Sequence, residues 1–210
     1  MPIQLKKDFD PIVIDNFLDE EDQEFLLETL KAEGLWSFRP HSVDPAICND
    51  VFPADRHIFS YYFIQGGQPL NKNVKIVDYI LFKFLEGTDY VVNYVERAQA
   101  NFDTPDKTSS LRTPHTDMTI PENVALPKGS KFISLLYYVN TADGNTVLFD
   151  KKTNIFTQLD EMPKVLMEVT PKQGQLFIFD STYYHCNWTP VDSEYRMVIN
   201  INLLLENLDE

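Results

Sequence analysis

The segment Tyr195 to Leu205 alternates polar and apolar residues so regularly that it constrains the whole chain. On extended backbone Met197, Ile199, Ile201 and Leu203 share one face, and Arg196, Val198, Asn200 and Asn202 share the other. A face that is wholly apolar must be covered, so this strand belongs to a sheet packed on a core. The opposite face either looks at solvent or lines a polar interior. Asn is depleted in strands, and Arg196 lies one hairpin from His185, which favours an interior.

Upstream segments read in the same way. Tyr90–Phe102, Phe132–Val139, Thr146–Asp150, Val165–Thr170, Gln175–Phe179 and Tyr183–Trp188 are short strand patterns separated by turns that carry Pro, Gly, Asn and Asp. In Phe132–Val139, Phe132, Ser134, Leu136 and Tyr138 share one face. In Tyr94–Phe102, Arg97, Gln99 and Asn101 share one; these three line a site or form a solvated sheet face. Fifteen Phe and ten Tyr add to the β signal. Many short antiparallel strands indicate a sandwich or barrel.

The N-terminal part differs. Phe9–Phe17 reads as a short strand leading to a helix with Asp19 as N-cap, acidic residues in the first turn, Phe25, Leu26 and Leu30 on its apolar side, and Gly34 at its end. A second helix is expected within Asn73–Glu86, burying Val77, Ile80, Leu81, Phe84 and Leu85 and closed by Gly87. Between them Trp36–Gln68 is loop-rich and a candidate lid, with Tyr61, Tyr62 and Phe63 as core and His41 and His57 as surface residues. The expected organisation is a mainly β (α+β) chain: one domain over 1–210, with a helical part at 1–89 packed outside a β core at 90–205.

A net charge of −14 argues against nucleic acid and anionic membranes as partners, because both need a basic surface. A peptide, protein or small molecule remains open as substrate. No apolar stretch is long enough for a membrane span, and Met1–Lys7 lacks the apolar region of a signal peptide. Two cysteines are too few for a disulfide framework; a cytoplasmic protein is expected, with Cys186 a buried thiol. No feature specifies an oligomeric state.

Within this frame, His115 and Asp117 stand two residues apart, so extended backbone projects both side chains the same way. His185 sits in the returning strand Tyr183–Trp188, near a rim where ligand sites are commonly built. Two imidazoles and a carboxylate can cap one face of an octahedral metal and leave three positions open, as in non-heme Fe(II) oxygenases. Arg196 would hold the carboxylate of an organic co-substrate, and Tyr138 could offer it a hydroxyl. Each residue alone also has an ordinary reading, as a surface pair, a core histidine or a packed tyrosine.

Taken in order, the motifs resemble the Fe(II)/2-oxoglutarate-dependent dioxygenases, and most of all their prolyl-4-hydroxylase-like branch. The resemblance rests on Phe9-Asp10-Pro11-Ile12-Val13-Ile14-Asp15-Asn16-Phe17-Leu18, Pro114-His115-Thr116-Asp117, Leu136-Tyr137-Tyr138-Val139-Asn140 with Asp143-Gly144-Asn145-Thr146, and Gly174-Gln175-Leu176-Phe177-Ile178-Phe179 leading to His185 and Arg196. It implies a double-stranded β-helix, or jelly roll. It implies Fe(II) held by His115, Asp117 and His185, and 2-oxoglutarate held by Arg196 and Tyr138, with Leu136 and Asn200 along its pocket. It further implies O₂ as oxidant, allows ascorbate as an addition, and yields succinate, CO₂ and a hydroxylated substrate. The substrate it implies is a prolyl residue of a peptide or protein; a free amino acid or other small molecule is the alternative, and a non-catalytic jelly-roll binding module the third. The turn Asp-Gly-Asn-Thr departs from the branch's double glycine, as Arg196 does from the lysine of some members.

Overall fold

A computed structural model of the chain describes residues 3, 5, 9–32, 35–86, 88–117, 129–153, 157 and 159–207. In chain order the elements are β1 (Ile12–Ile14), α1 (Glu20–Ala32), β2 (Ser37–Arg39), a 3-10 turn (Pro45–Ile47), β3 (Ile58–Gln65), β4 (Gln68–Pro69) and α2 (Val74–Leu85). They continue with β5 (Tyr90–Asp103), β6 (Lys131–Tyr138), β7 (Thr146–Lys152), β8 (Val165–Val169), β9 (Leu176–Asp180), β10 (Tyr183–Asn187) and β11 (Arg196–Asn207). The large sheet runs β1-β9-β6-β11-β5-β3-β2, with β4 also on β3; the small sheet runs β10-β7-β8. Every pairing within them is antiparallel.

Strand parity explains the layers. The apolar faces of β11 and β6, with Ala98 and Ala100 of β5, meet Leu26, Leu27 and Leu30 of α1 and Val77, Ile80, Leu81 and Phe84 of α2 in one core. The helices therefore cover one side of the large sheet, and side chains of alternating strands face away from them. A second cluster joins Leu136, Phe177, Phe179 and Val198 of the large sheet to Leu148 and Val169 of the small one, so the two sheets face each other. The far side of the small sheet buries Val147, Phe149, Tyr184 and Cys186 under Phe52 and Leu159. This is the expected jelly roll.

Several expectations change. Phe25 is exposed and Leu27 takes its place in the core, because Leu27 continues the stripe of Gln23, Leu26 and Leu30 along one side of α1. Ile58–Gln65, read as part of a loop-rich lid, is a strand paired along β5. Its run Ile-Phe-Ser-Tyr-Tyr-Phe-Ile is β-branched and aromatic, the composition of a half-buried strand. Tyr61 and Phe63 are core residues, as expected, whereas Tyr62 is only half-buried. The helical part thus also supplies strands to the large sheet. Gly34 and Gly87, read as helix ends, and most of the loop Thr119–Lys131 lie outside the described residues. No helix among those described is long and apolar enough to cross a membrane.

Candidate metal centre and co-substrate pocket

His115 and His185 are brought together by backbone. The N–H of His115 donates to His185 O at 3.0 Å, and the N–H of His185 donates to His115 O at 2.8 Å. This antiparallel bridge ties the loop after β5 to β10, and the two rings lie 4.7 Å apart. Each ring is anchored through Nδ1 near a carbonyl two residues earlier: Thr113 O at 3.1 Å for His115, and Tyr183 O at 3.2 Å for His185. An Nδ1–H donated to a carbonyl fixes the tautomer and leaves Nε2 with its lone pair available for a metal.

Asp117 completes the cluster. One ligand atom from each of His115, Asp117 and His185 lies within 4.8 Å of the others, and Asp117 Oδ2 is 3.3 Å from His185 Nε2. Its Oδ2 accepts from Ser134 Oγ at 2.8 Å; its Oδ1 accepts from Arg97 Nη2 at 2.8 Å and from Asn200 Nδ2 at 3.0 Å. Burial alone would raise the Asp117 carboxyl, but His185, Arg97 and His115 hold it well below the usual carboxylate range. Burial, reinforced by the neighbouring His185, pushes His115 down to about 4. At neutral pH the cluster is therefore a carboxylate beside a neutral His115 imidazole. This donor set fits a divalent transition metal of intermediate softness.

The polar faces of β5 and β11 run in register: Arg97 opposite Asn202, Gln99 opposite Asn200, Asn101 opposite Val198 and Asp103 opposite Arg196. Arg97, Gln99 and Asn101, left open between site and solvent, line the cavity at the metal cluster. The cavity measures about 240 Å³, and its walls also include Arg39, Ser42, Asp44, Leu136, Thr146, Arg196, Val198 and Asn200. Leu136 and Asn200 thus stand on the cavity, although Asn200 also ties down Asp117. The segment Arg39–Asp44, within the region read as a lid, does border the opening. His41 and His57 stand apart from the metal cluster: His41 Nδ1 lies 2.6 Å from Asp55 O, and His57 stacks on Phe38.

Arg196 is buried at the far end. Its Nε donates to Gly144 O at 2.6 Å and its Nη2 to Thr146 Oγ1 at 2.9 Å. Burial lowers its affinity for its proton, and the carboxylate of Asp103 opposes this. Tyr138 Oη donates to Thr146 Oγ1 at 2.8 Å, so this hydroxyl reaches the cavity through Thr146. With two donors already on its oxygen, Thr146 can offer its own hydrogen to an acceptor in the cavity.

Thr146 and Asp103 were missed by sequence reasoning. Thr146 opens β7 just after the glycine turn, on the inward parity of Leu148, which was the usable signal. Asp103 looked like the first residue of a polar loop; instead it ends β5, buried, on the inward parity of Arg97, Gln99 and Asn101. It pairs with Arg112, accepts from Asn187 Nδ2 at 3.2 Å, and lies 3.8 Å from Arg196.

The Asp-Gly-Asn-Thr turn has its own logic. Asp143 accepts from the backbone N–H of Val191, Asp192 and Ser193 at 2.8 to 3.0 Å, clamping the loop before β11. A Cβ on Gly144 would lie 2.7 Å from Trp188 O and 2.8 Å from Arg196 Cδ. Gly144→Ala must therefore displace backbone or Arg196. We expect at least about 1–3 kcal/mol of destabilisation, as for other overpacked sites, and weaker binding of any carboxylate held by Arg196. Chemical denaturation and co-substrate titration would check both effects.

No protein-family model and no curated protein matches the chain, but solved structures do. A 2-oxoglutarate/Fe(II) oxygenase-family oxidoreductase from Burkholderia pseudomallei aligns with a TM-score of 0.58 at 15% identity, over 92% of this chain and 84% of that one. A Trichoplax adhaerens prolyl hydroxylase, in complex with a hypoxia-inducible-factor degradation-domain peptide, aligns at 0.56 and 14% identity, over 92% and 82%. HygX from Streptomyces hygroscopicus, with nickel, 2-oxoglutarate and hygromycin B bound, aligns at 0.53 and 13%, over 94% and 83%. With both sheets, the covering helices and the placement of the His-Asp-His cluster described, the chain has the jelly-roll fold of the 2-oxoglutarate/Fe(II) oxygenases.

Proposed function

We propose that this protein is an Fe(II)- and 2-oxoglutarate-dependent dioxygenase that hydroxylates a C–H bond, with a prolyl residue of a peptide or protein as substrate. One observation carries the proposal: a single cavity is lined by a His-Asp-His cluster and by a buried, hydrogen-bonded Arg196–Thr146 pair. In this reading His115, Asp117 and His185 hold the iron. Arg196 and Thr146 bind the distal carboxylate of 2-oxoglutarate, Tyr138 orients Thr146, and Leu136 and Val198 pack along the co-substrate's chain. The iron, with 2-oxoglutarate and O₂, would supply the oxidising chemistry; the chain binds, orients and excludes water. Burial of Arg196 strengthens its attraction for a carboxylate, since few waters compete.

The peptide complex of the Trichoplax neighbour supports the prolyl reading by fold likeness. A second reading, hydroxylation of a free amino acid or other small molecule, is favoured by the cavity wall. Gln99 Oε1 is buried there with no hydrogen-bond partner among the described residues, an acceptor suited to a polar ligand. The test is stimulation of succinate release by proline-containing peptides against free amino acids, with hydroxylated product identified by mass spectrometry. Stimulation and hydroxylation by peptides are expected. Turnover with free amino acids alone would move the assignment to the second reading.

A further inference from the structure

Among the described residues, Arg97 is the one side chain that bonds the Asp117 carboxylate from the cavity side while remaining in contact with solvent. Its Nη2 donates to Asp117 Oδ1 at 2.8 Å, and its Nε donates to Asn202 Oδ1 at 3.1 Å. Asn202 is fully buried and fixed in turn: its Nδ2 donates to Ser134 Oγ at 3.1 Å and to Asn200 Oδ1 at 2.9 Å. Asn200 Nδ2 reaches the same Asp117 Oδ1. Two donors therefore converge on Oδ1, whereas Oδ2, which accepts only from Ser134 among the described residues, is the oxygen that faces His185 Nε2. The side chain of Arg97 is 30% exposed, against 0% for that of Asp117, and Arg97 lines the cavity.

From this asymmetry we propose that Arg97 is a positioning residue that restricts Asp117 to one metal-binding oxygen and adds a positive charge where an anionic co-substrate binds. The inference rests on the metal-centre reading above. A carboxylate free to turn could bind a metal through both oxygens and occupy a position that a chelating co-substrate needs. Holding Oδ1 by Arg97 and Asn200 prevents that. The guanidinium also acts oppositely on two ligands: it repels a divalent cation and attracts a dianion. A side chain that merely supported the local fold would affect both in the same direction.

The test uses Arg97→Met and Arg97→Lys beside the wild-type protein, titrated with Mn(II) and then, metal-loaded, with 2-oxoglutarate. Visible absorption of the Co(II)-loaded forms reports coordination. For Arg97→Met we expect Mn(II) affinity equal to or tighter than wild type and 2-oxoglutarate affinity weaker by about tenfold, on the scale of one charge-assisted contact. The Co(II) band should also change. Arg97→Lys keeps the charge but cannot reach Asn202 and Asp117 together as a fork; it should recover most of the 2-oxoglutarate affinity and little of the spectrum. Parallel weakening of both ligands with a lowered melting temperature would overturn the inference, and so would unchanged affinities and spectrum. If wild type binds no metal, the metal-centre reading itself fails.

Discussion

Asp103→Ala is expected to lower the stability of the fold by about 3–5 kcal/mol, the cost of leaving a buried charge without its partner. Asp103 is 1% exposed and stands between two arginines that are themselves buried, Arg112 and Arg196. Arg112 has other acceptors, since its Nη1 donates to Arg56 O at 2.9 Å and its Nη2 to His57 O at 3.1 Å. Those carbonyls satisfy hydrogen bonds but not charge; Asp55, 3.4 Å away, is the only other carboxylate paired with Arg112 among the described residues. Asn187 Nδ2 would lose an acceptor as well. Urea denaturation of wild type, Asp103→Ala and Asp103→Asn measures the effect, with Asn expected to recover part of the loss through its amide oxygen. A loss below about 1 kcal/mol for the alanine variant would mean that the carbonyls suffice.

How much of this was visible beforehand depends on the length scale of each feature. The inward and outward faces of β11 and β6 were legible because side-chain parity in a strand is a local property. Met197, Ile199, Ile201 and Leu203 went to the core, and Arg196, Val198 and Asn200 to the cavity, as alternation requires. His115, Asp117 and His185 were legible as ligand types at a useful spacing, and the structure places them together, the two histidines joined by the backbone bridge.

What stayed hidden is set by contacts between segments far apart in sequence. Nothing local marks Asp103 as the partner of Arg112 and Arg196, because the pairing depends on where the loop after β5 returns. Ile58–Gln65 was obscured by the irregular Pro- and Asp-bearing stretch before it, although its own composition suits a strand. Phe25 shows the limit of helical spacing: Leu26 and Leu30 define a stripe, but whether Phe25 or Leu27 flanks it depends on how α1 is rotated against the sheet. The links from Arg97 and Asn200 to Asp117 were also out of reach, since they need the register of β5 against β11.

The largest effect on activity is expected at the proposed metal ligands. His185→Ala removes one of three donors and exposes a backbone-anchored gap beside Asp117. Removing an uncharged group that only orients a metal ligand already costs about 10–100-fold in metal affinity or activity, so loss of a ligand itself should exceed that. The fold should survive, because His185 packs at the cavity edge and the strand pairing of β10 with β7 is made by backbone. The side chain gives up its ring contacts with His115 and Phe179, its Nδ1 contact with Tyr183 O and its approach to Asp117, none of which holds the sheets together. The most direct measurement is succinate release from 2-oxoglutarate in the presence of Fe(II), comparing wild type with His185→Ala at matched circular dichroism. The account predicts Fe(II)-dependent succinate formation by wild type, abolished by a chelator and reduced more than about 100-fold in the variant. Equal succinate formation by the two proteins would contradict it.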